Sequence, residues 1–191
     1  MCEHFRMGGA APVETALIVP VPAADPVVGR HRRELDHSAV WGVPAHLTIS
    51  YPFLAPGRIT EAVVGELRAL LSRVESFGCV FRRVEWFGNE VVWLAPEPAE
   101  PFHRLIELVW RRFPECPPYG GAHREVVPHL TVGSTRLGEP DALRRAAVAV
   151  GAELPFRAVI DRVRLVAGAT APGSWHPVTE FGLPGSAGRL P

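Results

Sequence analysis

Cysteine is scarce in this chain: Cys2, Cys79 and Cys116 are the only three in 191 residues. An odd number with no metal-like spacing excludes a disulfide framework and a cysteine-built metal site, and fits the reduced thiols of a cytoplasmic protein. An excess of one charge is also missing, since Lys+Arg and Asp+Glu number 20 each. Gripping long nucleic acid by counterion release needs a dense basic surface. A small phosphorylated ligand or a nucleotide end needs only a few local donors. Long apolar runs are absent as well. "MCEHFRMGGAAPVE" has no apolar core to act as a signal peptide, and "TALIVPVPAA" is too short and proline-broken to span a bilayer. No heptad, short repeat or low-complexity tract stands out. A membrane partner is not expected.

Hydrophobic content of 47% with 21% charged residues describes a globular chain that buries a real core. Twenty prolines and eighteen glycines predict short elements and many turns. "TALIVPVP" (15–22) reads as a strand, and Asp25-Pro26 starts a helix running to about Val40. Thr60 caps a helix with Val63, Val64, Leu67, Leu70, Leu71 and Val74 at three- and four-residue spacings. Residues 77–88 and 90–96 form a hairpin turned at Gly88-Asn89. Pro101 opens a further helix that Pro114 ends. Pro140 opens another, which Gly151 can terminate. Residues 156–168 and 176–183 supply two closing strands. The expected organisation is one domain over 15–184, between loose ends at 1–14 and 185–191.

Two phrases nearly repeat. "VPAHLTI" (43–49) and "VPHLTV" (127–132) each place a His and a Thr two apart among aliphatic residues, with His46 and His129 separated by 83 residues. "RRVEWFG" (82–88) and "DRVRLVAG" (161–168) match at an offset of 79. The chain therefore reads as a duplicated α+β unit: strand, helix, His-x-Thr strand, helix, strand pair. Two such copies predict a bilobal, pseudo-two-fold molecule, with two antiparallel sheets facing a central cleft and helices outside.

In a strand, residues i and i+2 share a face. His46 and Thr48 thus point one way and Leu47 the other, as do His129, Thr131 and Leu130. Imidazoles titrate near pH ~6.5, so one of the pair can be neutral while its partner is cationic. A neutral His accepts a proton from water, and a cationic His gives one to a leaving alkoxide. The Thr hydroxyls can hold the phosphoryl oxygens. No metal or other cofactor is required.

On these residues the chain resembles the 2H phosphoesterases, the bacterial 2′-5′ RNA ligase-like or cyclic phosphodiesterase-like family. The matching motifs are His46-Leu47-Thr48 and His129-Leu130-Thr131, with "HLTISYPF", "WFGNEVVWLAPEP", "PPYGGA" and "VPHLTVG" adding to the likeness over roughly 15–183. The resemblance implies a bilobal fold of the kind called LigT-like. It also implies hydrolysis or reversible transesterification of 2′,3′-cyclic or 2′-5′ phosphodiesters of nucleotides or RNA ends.

Other residues have two readings each. Tyr51 and Phe53 follow the first motif, as groove-lining stackers or as core aromatics. Tyr119, beside Gly120-Gly121, can close over a ligand. Arg124 and Arg136 flank the second motif, as phosphate partners or as surface charge. Trp86 and Phe87 read as core or rim. A zinc site from Cys116, His123 and His129 lacks a closely spaced ligand pair. The expected molecule is a cytoplasmic monomer acting on a small phosphodiester, a nucleotide or an RNA end. Its rivals are a non-catalytic nucleotide or RNA-end binding module and an enzyme of specialised metabolism acting on another phosphate ester.

Overall fold

The computed structural model describes residues 11–121 and 126–185. Of the predicted loose ends, 11–14 and 185 lie within these bounds. At the first of these the chain is already held: Glu14 opens the first strand, and the Val13 N–H donates to the Gly168 carbonyl at 2.8 Å. The rest of both ends lies outside the described residues, as do His123 and Arg124.

The first strand, β1 (Glu14–Pro20), leads through a turn into α1 (Asp25–Leu35). The helix expected to reach Val40 breaks at Asp36, which takes an extended conformation and caps the short α2 (His37–Val40) by accepting from the Ser38 N–H. Strand β2 (His46–Ser50) carries the first motif. Helix α3 (Glu61–Leu71) starts where the spacing predicts, with Thr60 Oγ1 accepting from the Val63 N–H at 3.3 Å. The hairpin of β3 (Phe77–Phe87) and β4 (Val91–Glu97) turns through Gly88, whose φ of 54° suits glycine. Helix α4 (Glu100–Arg112) precedes β5 (Leu130–Ser134), which holds the second Thr, with His129 just before it. Helix α5 (Pro140–Ala152) runs one residue past Gly151 and is capped by Glu153, so Gly151 does not end it. The single strand expected over 156–168 is two, β6 (Phe156–Ile160) and β7 (Arg162–Gly168), divided at Asp161. Strand β8 (His176–Gly182) completes the set.

All eight strands join one antiparallel sheet in the order β6-β3-β4-β5-β2-β1-β7-β8. The expected pair of sheets corresponds to its two four-stranded halves, which meet at the midline through one residue pair, Leu47 with Leu130. The duplication is visible in this order. Strands β1, β2 and β3 of the first unit correspond to β4, β5 and β7 of the second, and β3 and β7 carry the sequence match at 82–88 and 161–168. Each unit, however, gives its third strand away. β3 pairs with β4, and β7 pairs with β1. The halves are thereby interwoven.

The main core lies between the sheet and the helices. Leu17, Val19, Leu47, Ile49, Leu94, Leu130, Val132 and Leu165 project into it from the strands. They meet Val28, Leu67, Phe102, Leu105, Val109, Leu143 and Val150 from the helices. Period-two alternation then sends His46, Thr48 and Thr131 to the opposite face. A second, smaller apolar cluster occupies that other face: Ala16, Ile18, Val43, Val166 and Trp175, with Trp41 and Tyr51 against them.

Candidate active site

The antiparallel pairing of Leu47 with Leu130 sets the geometry of the motifs. Carried one residue each way, that register puts His46 opposite Thr131 and Thr48 opposite His129. The imidazoles then occupy diagonal corners of a four-residue square, with backbones on the order of 7–8 Å apart. One group between them would meet a His on each side. All four side chains line a single cleft of about 530 Å³.

Both rings are held in the same way. His46 Nδ1 donates to the Pro44 carbonyl at 2.7 Å, and His129 Nδ1 donates to the Val127 carbonyl at 2.8 Å. A carbonyl can only accept, so each neutral ring carries its proton on Nδ1, and Nε2 becomes the basic nitrogen.

The surroundings of the two rings differ. Burial lowers the His46 pKa to about 4, assisted by the Arg32 guanidinium and by His129, against the Pro44 hydrogen bond and Asp36. His46 is therefore neutral at pH 7. Arg32 is itself buried, at 3% exposure. It donates through Nε to Asp36 Oδ2 at 3.0 Å and through Nη2 to Ser38 Oγ at 2.9 Å, and Nη2 also reaches the Val43 carbonyl at 3.4 Å. This ion pair fixes the turn that presents the Pro44 carbonyl. His129 instead sits among aromatic rings. Phe87 meets it edge-on at 4.9 Å, Trp93 lies at 5.9 Å, and Tyr119 stacks at 6.1 Å.

Tyr119 adopts φ of 51°, rare outside glycine, followed by Gly120 at 63° and Gly121 at 78°. Non-glycine residues at such φ cost on the order of 1–3 kcal/mol and concentrate where a loop must present a side chain. Here the ring reaches the cleft, and its hydroxyl hydrogen-bonds to Thr48, while burial pushes the phenol up to about 12. Tyr51 also lines the cleft, with its hydroxyl donating to Glu14 Oε2 at 2.8 Å. Arg136 is exposed and lines the cleft at its mouth.

Phe53 does not reach the cleft. It has the parity of Leu47 and Ile49, which face the helices, whereas Tyr51 departs from that parity because β2 ends at Ser50. Thr15 Oγ1 donates to the Leu54 carbonyl at 2.6 Å and the Phe53 N–H to the Thr15 carbonyl at 2.9 Å. These bonds bring Phe53 to the helix side, where it packs edge-on against Phe113 at 5.1 Å. Cys116 is buried in the same core. Among the described residues no three His, Cys, Asp or Glu side chains group as metal ligands. None of their helices is long and apolar enough to cross a membrane.

Several lining residues escape a reading of spacing. Asp36, His37, Ser38, Trp41 and Val43 come from the segment before β2, Ser134 from the end of β5, and Val166 and Trp175 from the C-terminal strands and their loop. Alternation in "EVVWLAP" could have placed Trp93, which pairs with Thr131. No local signal marks Trp41 or Trp175. Trp175 is fixed by its indole N–H donating to the Ala169 carbonyl at 3.0 Å, and it covers Gly168, where an added Cβ would stand 2.4 Å from the ring. Gly168→Ala should therefore displace Trp175 and cost about 1–3 kcal/mol. A lower thermal midpoint together with a changed near-ultraviolet tryptophan dichroism would show it; an unaltered spectrum would not fit.

A family model described as the 2′-5′ RNA ligase superfamily matches residues 19–171. Among solved structures, LigT of E. coli in complex with 3′-AMP is 18% identical with a TM-score of 0.55, covering 91% of this chain and 99% of that one. TT0787 of Thermus thermophilus is 20% identical with a TM-score of 0.58, covering 89% and 97%. A structure described as a phosphoesterase is 17% identical with a TM-score of 0.55, covering 91% and 99%. At such identities these likenesses establish the fold. No curated protein matches. With the family match running from β1 to just beyond β7 and both His-x-Thr motifs inside it, the chain belongs to the 2′-5′ RNA ligase superfamily, the 2H phosphoesterases.

Proposed function

We propose that the cleft is a metal-independent phosphodiesterase site acting on 2′,3′-cyclic or 2′-5′ phosphodiester bonds of nucleotides or RNA ends. The observation that carries this reading is the matched pair of Nδ1-to-carbonyl hydrogen bonds. They leave the two Nε2 atoms as the proton-exchanging positions beside Thr48 and Thr131.

In the forward direction, neutral His46 takes a proton from water at Nε2 as the water oxygen bonds to phosphorus. Cationic His129 donates its Nε2 proton to the departing ribose oxygen as that P–O bond breaks. The product is a phosphomonoester, and the two histidines have exchanged charge states. Thr48 and Thr131 donate to the non-bridging oxygens as negative charge gathers there. The reverse reaction exchanges the roles, as microscopic reversibility requires. Burial, Arg32 and His129 all disfavour a charge on His46, and so support its assignment as the base.

The test is a screen of 2′,3′-cyclic nucleotides, 2′-5′ dinucleotides and ADP-ribose cyclic phosphate with a chelator present. Turnover should persist. Loss on chelation, reversed by adding a divalent ion, would sink the metal-independent reading. The pH dependence follows from His46. Since kcat/KM reports the free enzyme, its acid limb should fall as pH drops through about 4, well below the ordinary imidazole value of 6.5. An acid limb at 6 to 7 would assign the base elsewhere. Stability shifts in the same direction. Between pH 6.5 and about 4 the unfolded chain protonates His46 while the native protein does not, so this residue lowers stability as pH falls through that window.

A further inference from the structure

We infer that the substrate is a phosphodiester monoanion of mononucleotide size whose flat, uncharged ring system lies on a wall built by Trp41, Tyr51 and Trp175. This rests on the phosphodiesterase reading and narrows it.

The helices cover one face of the sheet, and an antiparallel sheet with one face packed ordinarily turns polar residues outward on the other. Here the open face holds the second apolar cluster, and all seven of its residues line the cleft. Ala16, Ile18, Val43, Val166 and Trp175 are buried while Trp41 and Tyr51 are half-buried, so the cluster presents these two rings to the cleft with Trp175 packed behind them. The cluster's position points to a ligand bonded to phosphorus, because Ile18 is the register partner of Thr48. The wall therefore begins one strand away from a proposed phosphate holder.

The wall is also preformed. Trp175 N–H donates to the Trp41 carbonyl at 2.9 Å, and Gly173 N–H donates to the Val40 carbonyl at 3.0 Å. These bonds tie the loop after β7 to the turn after α2. Ser174 Oγ donates to the Ala169 carbonyl at 2.6 Å, and Tyr51 meets Trp175 edge-on at 6.1 Å. A rigid aromatic surface loses little entropy when a ring stacks on it.

Charge limits what else the ligand carries. Of the described residues lining the cleft, Arg136 is the one permanent cation, and Asp36 is neutralised by Arg32. A polynucleotide strand needs a row of cations along its path. On the other half of the sheet Phe87 and Trp93 stack on each other at 4.7 Å, and both rings pack against His129. Beyond Trp93 that half carries Glu85, Arg83 and Glu97 joined in ion pairs. A ring system is accordingly directed to the Trp41 side.

The experiment compares adenosine 2′,3′-cyclic phosphate, the same ester lacking the base (ribose 2′,3′-cyclic phosphate), and a dinucleotide ending in a 2′,3′-cyclic phosphate. It uses the full-length protein and its Trp41→Ala and Trp175→Phe variants, with thermal melting as the fold control. The nucleotide should exceed the base-free ester in kcat/KM by tenfold or more, carried by KM. Trp41→Ala should cut that ratio about tenfold, Trp175→Phe less, and the dinucleotide should gain under threefold. Equal handling with and without the base, or a ratio indifferent to Trp41→Ala, would overturn the inference. So would a rate that climbs with chain length and falls steeply with salt, which would give the site to RNA ends. Calorimetric titration with 3′-AMP and with ribose phosphate separates this from failure of the phosphodiesterase reading. Base-dependent binding that Trp41→Ala weakens, without turnover of any ester, would keep the wall and remove the catalysis.

Discussion

His46→Ala and His129→Ala should each lower kcat by roughly 10²–10⁴-fold on whichever cyclic or 2′-5′ ester proves to be the substrate. Each removes a different proton transfer. Without His46 the attacking water keeps its proton, and without His129 the leaving oxygen departs as an alkoxide. Because both transfers belong to one displacement at phosphorus, the double variant should lose little more than the worse single one. The fold should tolerate either change, since each ring is held by a hydrogen bond to a carbonyl two residues away in the chain, Pro44 or Val127. Melting curves should stay close to the parent, while single-turnover rates collapse. A variant retaining more than a tenth of the parent rate would remove that histidine from the mechanism. Full activity in both would leave the cleft as a binding module.

Arg32→Ala should be the most destabilising substitution near the site. Arg32 and Asp36 are 2.8 Å apart with side chains only 4% and 9% exposed. Removing one partner of a buried pair strands the other and costs about 3–5 kcal/mol. For a chain of this size that corresponds to a fall in Tm of roughly 6–20 °C. Arg32→Met combined with Asp36→Leu should recover much of the loss, because neither charge is then left alone. If Arg32→Ala melts within two degrees of the parent, the network is not structurally important. A double variant as unstable as the single would refute the pairing argument. The kinetic effect has a sign as well. With Arg32 gone, Asp36 favours the cationic ring of His46, so the acid limb of kcat/KM should move upward in pH.

Much of this molecule is written locally. His46 and Thr48 share a face because strand geometry repeats every two residues, and Leu47 and Leu130 reach the core for the same reason. Helices α3, α4 and α5 follow from three- and four-residue apolar spacing, and the Thr60 cap from one side-chain hydrogen bond. The match between 82–88 and 161–168 marks β3 and β7 as counterparts. Local rules fail where the backbone leaves its regular period. Alternation extended past Ser50 would put Tyr51 on the Leu47 face, yet its ring lines the cleft, because the strand ends at Ser50 and the chain turns there. A continuous strand over 156–168 overlooks the break at Asp161, after which the chain moves from β3 to β1.

The sequence by itself determined the elements, the duplication and which face of each motif strand bears its His and Thr, because those depend on torsion angles and spacings within about ten residues. Tertiary structure alone decided that the two motifs lie side by side through Leu47 and Leu130, that β3 and β7 change halves, that Arg32 and Asp36 stand behind His46, and that Trp41 and Trp175 meet beside Thr48. These are choices among distant partners, settled by how apolar surface and buried charge pack together, and no short stretch of sequence contains both sides of them.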